Sequence, residues 1–430
     1  MPKVARVFEY DRLRIGEQGL TVSHYERLAA YSEKNQSKFF RPGHRCIHFR
    51  GHVGVLQVGG LTIEILPKAD RGTADQNKWR NALLEMLKTC RLIKLESMTN
   101  ANLRLRSASM VDLYFHTFLD QVQDIIHGGL AKGYRQKNGN LTSLKGSIDF
   151  PRHITHNLIH RERFYTRHTV YDRDKLHNQL LKKALVVLQA SSANPHISAR
   201  ASEMLLHFED VSDIRVTQET FQRVTFHRNT ERYRAGLQLA RLIILNYTPD
   251  LRGGREHVLA ILFDMPMLYE DYFYRLLKRA EPNFPGIRVE RQRSATFWQG
   301  ESMSKTIRPD VVIETQDGRK LILDTKWKVP KDNRPSDSDL KQMYAYNIQF
   351  GAKDSILVYP KVEGLGDIRG EFKTSHELYG NHVHTCCLHF MELFVRGGDT
   401  LDRHAGKHVL SSLLDISYTQ EKSDQSGGVA

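Results

Sequence analysis

Cysteine is scarce. Cys46, Cys90, Cys386 and Cys387 are the only four in 430 residues, too few and too scattered for a disulfide framework or a CxxC zinc pair, so buried thiols are expected. No run of about 18 apolar residues occurs, which leaves no helical span for a bilayer. The opening MPKVARVFEYDRLRIG has no apolar centre of the secretory kind, and an intracellular, cytoplasmic location is expected. A GxxxxGK[ST] loop is also missing, so the chain is not expected to cradle a nucleotide phosphate itself. Glycine (29) and proline (13) are too sparse for a low-complexity chain. Acidic residues are the minority: 49 Asp and Glu against 63 Lys and Arg leave a formal charge of +14. Such a surplus favours a polyanion through counterion release, with nucleic acid ahead of an anionic membrane.

What is present reads as several units, since 430 residues exceed what one hydrophobic core usually serves. The expected class is α+β multidomain: a β-rich N-terminal module (1–105), a helical connector (106–255), a mixed α/β domain (256–400) and a partly disordered C-terminal extension (401–430). Short strand-like runs separated by glycine and proline fill residues 4–67, and Gly59-Gly60 between Val53–Val58 and Leu61–Leu66 marks a tight hairpin. After Pro67 the period becomes helical, with apolar stripes through Trp79–Leu87, Val111–Ile126, Leu176–Leu188 and about Thr230–Leu245. His153, His156, His160 and His168 stand in an Arg-rich stretch with no cysteine, expected to be a basic solvated loop rather than a metal site. The last third alternates: VLAILFDM is a short apolar run, MLYEDYFYRLLKRA a helix, IRPDVVIET and KLILDTKWKV strands, SDLKQMYAYNIQF a helix and SILVYP a buried strand. Beyond about residue 418 there is almost nothing to bury, and disorder is expected.

The chemistry-bearing residues lie in that last third. Gln316 to Gly318 signals a turn between the run holding Pro309-Asp310 and the run holding Asp324-Thr325-Lys326. Period-two alternation puts Asp324 and Lys326 on one face, and antiparallel pairing brings Asp310 beside them. Two carboxylates and an ammonium on one face suit phosphodiester hydrolysis with a hard divalent cation, Mg²⁺ or Mn²⁺; without a cation the carboxylates repel one another. The bare pattern arises by chance in roughly one chain in seven of this length, so its surroundings matter. Upstream, Glu270 sits on a helix after Pro266. Downstream, Gln342 and Tyr346 are four apart on one helical face. Asp310, Asp324 and Glu270 are the candidate metal ligands; Lys326, Gln342 and Tyr346 complete the candidate catalytic set.

In this order, Glu, Pro-Asp, Asp-x-Lys and Gln-x-x-x-Tyr resemble the PD-(D/E)xK nuclease superfamily, and the C-terminal unit is expected to have that restriction-endonuclease-like fold. Further stretches extend the resemblance over most of residues 4–360: FEY (8–10), LTIEILPK (61–68), GLAKGY (129–134), LKGSID (144–149), DKLHNQLLKKAL (174–185) and FDMPMLYEDYF (263–273). Together they resemble the McrC family, endonuclease subunits of McrBC-type modification-dependent restriction systems. Ser147 departs from the pattern, which leads one to expect a basic residue. The resemblance implies a DNA endonuclease working on methylated or otherwise modified DNA. Its implied partner is a hexameric McrB-like AAA+ motor, which binds and hydrolyses GTP or ATP. The N-terminal part would insert into the motor's ring and stimulate it. Two other readings stay open: a stand-alone nuclease of repair or recombination, and a non-catalytic activator of an AAA+ ring.

Overall fold

The computed structural model describes residues 3–69, 75–92, 109–192, 194–248, 257–330, 334–373 and 383–414. It is a mixed α/β architecture with a five-stranded and a six-stranded sheet, three smaller sheets, and helices packed between and upon them. The expected disorder beyond about residue 418 lies outside the described residues.

The first sheet grows from the hairpin read in the sequence: His52–Val58 pairs antiparallel with Leu61–Leu66, and Gly59 turns the chain at φ +54°. Lys3–Phe8 adds parallel to Leu61–Leu66. The other free edge of the hairpin is taken by Val258–Asp264, from Val258 against Val58 to Asp264 against His52. That strand was expected at the start of the C-terminal α/β unit. Its apolar run is buried on both faces from Val258 to Ala260, and an open edge beside it supplies the ladder that such a run needs. Gly54 sits where the two strands crowd, at φ +131°, and a Cβ there would stand 2.3 Å from the carbonyl oxygen of Ile261. Gly54→Ala is expected to cost about 2 kcal/mol in chemical denaturation, and an unchanged midpoint would contradict that crowding. A second departure is the helix Val22–Lys34, capped by Thr21, in a module read as mostly strands; its Leu28 and Tyr31 close one side of the first sheet's core.

The middle of the chain contains the expected helices, Met110–His127, Leu176–Ser191 and Arg234–Leu245, joined by Pro195–Leu205. It is more than helical, because Gly133–Leu141, Ser147–Ile148 and Phe164–Asp172 form a three-stranded insert carrying the short helix Phe150–Asn157. The strand GYRQKNGNL is exposed on one side and mostly half-buried on the other, where Gly133, Arg135, Gly139 and Leu141 lie, so it carries none of the apolar alternation that reveals a strand. The histidines bond within this insert: His153 Nδ1 receives the Tyr165 N–H at 3.2 Å, and His168 Nδ1 lies 3.2 Å from Thr166 Oγ1.

The second large sheet runs in the order Ile287–Arg291, Val311–Thr315, Lys320–Thr325, Asp354–Pro360, Thr385–Met391, Ile368–Glu371. Its first three strands are antiparallel neighbours; Lys320–Thr325, Asp354–Pro360 and Thr385–Met391 then run parallel. Alternation separates its two faces. Val311, Ile313, Leu321 and Leu323 pack toward the helix Met265–Ala280, whereas Val312, Ile322 and Leu357 pack toward the helix Asp337–Phe350. The first of these cores continues without a break into the helical middle and the first sheet. Among the described residues no helix is long and apolar enough to cross a membrane. The four thiols are free; Cys46, Cys90 and Cys386 are buried and Cys387 is half-buried.

Candidate active site

The hairpin joining Val311–Thr315 to Lys320–Thr325 turns through Gly318 at φ +82°. Its last ladder pair is Val311 with Leu323, which leaves Asp310 and Asp324 one step beyond, where the strands stop pairing. Asp310 uses its side chain in place of the ladder: Oδ2 accepts the Thr325 N–H at 2.7 Å and the Thr325 hydroxyl at 2.6 Å. Its own carbonyl receives the Gln292 N–H at 3.0 Å. Lys326 has left the ladder with the hairpin strand but still donates its N–H to the Val358 carbonyl at 2.9 Å, so the Asp-x-Lys segment is anchored on the neighbouring parallel strand.

Asp324 is 3% exposed and its Oδ2 lies 2.6 Å from Lys326 Nζ. Gln342 ties the strand to the helix Asp337–Phe350, accepting from Lys326 Nζ at 3.1 Å through Oε1 and donating through Nε2 to Tyr346 OH at 2.7 Å and Asp324 Oδ1 at 3.4 Å. Tyr346 OH donates to the Arg308 carbonyl at 3.1 Å. Five of the six residues singled out in the sequence therefore meet at the end of the hairpin.

Glu270 is the sixth and stands apart from this network. Its helix packs on the opposite face of the sheet, and its carboxylate accepts from Gln292 Nε2 at 2.6 Å and Arg291 at 3.5 Å. It still feels Asp310. Burial, then the negative charge of Asp310, raises the Glu270 pKa against the opposing help of Gln292 and Arg291. The same two causes push Asp324 up to about 6, with Lys326 pulling the other way. For Lys326, burial works against the charge, but Asp324, Asp339 and Asp310 outweigh it and the pKa is raised. The ammonium is thus held charged while the carboxylates repel one another.

Sequence reasoning missed two participants. Asp339, 6% exposed, pairs with Lys328 at 2.5 Å and reaches Lys326 at 3.6 Å; the signal available was Ser336-x-x-Asp339, the start of the helix, where the Ser336 hydroxyl caps the Asp339 N–H. The other is Glu9, which is 318 residues upstream of Trp327 and accepts its indole N–H at 2.6 Å. Nothing in the local pattern of either segment announces that pairing.

Asp310, Asp324 and Glu270 have the hard oxygen donors that suit Mg²⁺ or Mn²⁺, and Asp324 and Glu270 are raised in pKa by burial and then by the charge of Asp310, a repulsion that a cation relieves. As they stand they do not form a ligand set: among the described residues, no three His, Cys, Asp or Glu side chains are grouped to hold a metal. Asp324 is engaged by Lys326, and Glu270 is turned to Gln292 and Arg291.

A chain in the structure described as a refined half-complex from the tetradecameric assembly of Thermococcus gammatolerans McrB AAA+ hexamers with bound McrC superposes with a TM-score of 0.63. It is 20% identical, with 96% of this chain and 100% of that chain covered; the likeness is one of fold. The type IV methyl-directed restriction enzyme EcoKMcrBC of Escherichia coli (strain K12) is 21% identical over 241 residues, 54% of this chain and 69% of the relative. The sequence model of the McrBC 5-methylcytosine restriction system component matches residues 47–360, which hold four strands of each large sheet and the helical middle, and on that match the chain belongs to the McrBC restriction-component family.

Proposed function

We propose that the chain is the DNA-cleaving, McrC-type subunit of a cytoplasmic restriction system, and that its C-terminal unit is a PD-(D/E)xK nuclease domain. The observation that carries this reading is the hydrogen-bonded group of Asp310, Asp324, Lys326, Gln342 and Tyr346 at the end of one hairpin. Asp310 and Asp324 would hold Mg²⁺ or Mn²⁺, with Glu270 assisting from the far side of Asp310; the ion would polarise the phosphate and supply hydroxide near neutral pH.

The chain's own residues divide the remaining work. Lys326, held charged, offsets negative charge building on the phosphate rather than removing a proton. Gln342 fixes the Lys326 ammonium against Asp324, and Tyr346 fixes Gln342 by spending its hydroxyl on the Arg308 carbonyl. Tyr346→Phe is expected to lower the cleavage rate about tenfold with little change in substrate KM, because it loosens the positioning of Lys326 without removing it. A changed KM at unchanged kcat would place Tyr346 in DNA binding instead.

The partner in this reading is a hexameric McrB-like AAA+ motor that binds GTP or ATP, with modified DNA as substrate. The insert of residues 133–172 suits the docking arm, for it exposes Tyr134 (80%), Phe150 (66%), Leu158 (73%) and Ile159 (86%) among many cationic side chains. Isolated exposed apolar residues are ordinary, but with Leu144, Ile154 and Tyr171 there are seven large ones on one small insert, and these mark a contact surface. The whole reading is tested by incubating the chain and its motor with methylated and unmethylated duplex, Mg²⁺ and GTP or ATP. Mg²⁺-dependent breaks in methylated DNA are expected. Motor stimulation without any strand breakage would leave a non-catalytic activator.

A further inference from the structure

A cleft of about 1660 Å³ opens between the first sheet, the helical middle and the helix Met265–Ala280. Ten Lys and Arg side chains line it against three carboxylates, and each of those carboxylates is already engaged. Glu85 is near Arg403 at 3.6 Å, Glu231 pairs with Arg234 at 2.6 Å, and Asp271 pairs with Arg275 at 2.9 Å and with Arg291. The remaining field is strongly positive. Lys88, Arg241 and Arg279 are exposed, and no ion pair joins any of them to a carboxylate among the described residues.

Two further features say what such a cleft accepts. First, its aromatic lining offers little for stacking: Phe39 is 8% and Tyr272 2% exposed, and the half-buried Phe263 is already stacked on Tyr114. Base stacking on aromatic faces, the usual grip on splayed-out bases, is therefore lacking along those walls, whereas cations for phosphates are plentiful. Second, one end of the cleft lies beside Glu270, the candidate residue that stands apart from the hairpin network. Arg291 lines the cleft and pairs with Asp271 within it, and the same guanidinium reaches Glu270 at 3.5 Å; Gln292 then joins Glu270 to Asp310, donating through Nε2 to the Glu270 carboxylate at 2.6 Å and through its N–H to the Asp310 carbonyl at 3.0 Å.

We infer that this cleft is the track for the sugar–phosphate backbone of DNA, gripping phosphates irrespective of sequence and delivering the strand past Arg291 to the Asp310 and Asp324 end of the hairpin. The inference rests on the nuclease reading for what happens at the end of the track, but the grip itself does not depend on cleavage. It also assigns a location to part of the +14 charge, which composition alone could not place.

The test uses the full chain without divalent metal and a fluorescein-labelled 20-base-pair duplex, read by anisotropy across a salt series. The triple variant Lys88→Glu, Arg241→Glu, Arg279→Glu is expected to weaken binding at least tenfold and to make the plot of log affinity against log salt shallower by about 2, as loss of two to three phosphate contacts requires. A control, Lys137→Glu, Lys145→Glu, Arg161→Glu on the insert, changes the net charge equally and is expected to stay within threefold of wild type. The track is overturned if the cleft variant binds within threefold of wild type, or if the control weakens as much as the cleft variant. The nuclease reading fails separately, if the wild-type chain binds through the cleft yet never cleaves with its motor and Mg²⁺.

Discussion

Lys326→Ala is expected to lower cleavage of modified duplex DNA by about 10²- to 10³-fold while the chain still assembles with its motor, the loss typical of deleting one preorganised charge that faces the transition state. Lys326 lies 2.6 Å from Asp324, with Asp339 at 3.6 Å and Gln342 Oε1 at 3.1 Å. Those groups outweigh the burial that opposes its charge, so the variant removes a cation at working pH. Asp310→Ala should reach a similar loss by another route, since it deletes a carboxylate of the cation site and the acceptor of both Thr325 donors. Single-turnover strand cleavage gives the rates, and co-elution with the motor shows that the fold survives. Wild-type rates in both variants would remove the hairpin from the chemistry.

The site was largely legible because its residues obey short-range rules. Asp310 and Asp324 meet since two apolar runs flank a turn, and Gln342 and Tyr346 meet since they are one helical turn apart; period and spacing are visible in a single sequence. Glu270 shows where this stops. Its position on a helix was readable, but which face of the sheet that helix covers depends on tertiary packing, and it covers the face opposite Gln342. The strand Val258–Asp264 fails for a related reason: an apolar run declares that it is buried, not which sheet buries it, and its partner His52–Val58 is some two hundred residues earlier. The insert at 133–172 was missed because the side its strands bury is largely polar, with Thr166 and His168 on it, and so carries no apolar period. The segments that resemble the McrC family are another matter. FEY, ILPK, MLYEDYF and DTKWK are far apart in the chain, yet Glu9, Lys68, Tyr269 and Trp327 converge on one contact.

That contact supports the second large effect, a pH-dependent stability that Glu9→Gln should abolish. Glu9 is 2% exposed. Its Oε1 accepts from Trp327 Nε1 at 2.6 Å and from the Lys68 N–H at 3.0 Å, while Oε2 is buried with no hydrogen-bond partner. Burial dominates: it pushes the Glu9 pKa up to about 7 although Trp327 and Lys68 oppose it, and the charge of Asp264 adds to the rise. A carboxyl whose folded pKa exceeds its unfolded value binds more protons folded than unfolded, so stability falls as pH rises between the two values. From the ordinary value of 4.5 to about 7, this group should contribute a decline of about 3 kcal/mol, complete above the upper end of that window. Glu9→Gln retains an acceptor for Trp327 and cannot ionise, so the difference between its urea-unfolding free energy and that of wild type should widen across the window and then level. A constant difference from pH 4.5 to 8 would show that Glu9 does not titrate there. The position matters for function as well as stability, because Trp327 follows Lys326 directly and packs between Trp79 and Tyr269. An ionised Glu9 loosens the seam at which the N-terminal module, the helix bearing Glu270 and the Asp-x-Lys strand are held together, so cleavage by wild type should lose thermal tolerance above neutral pH while the Gln variant keeps it.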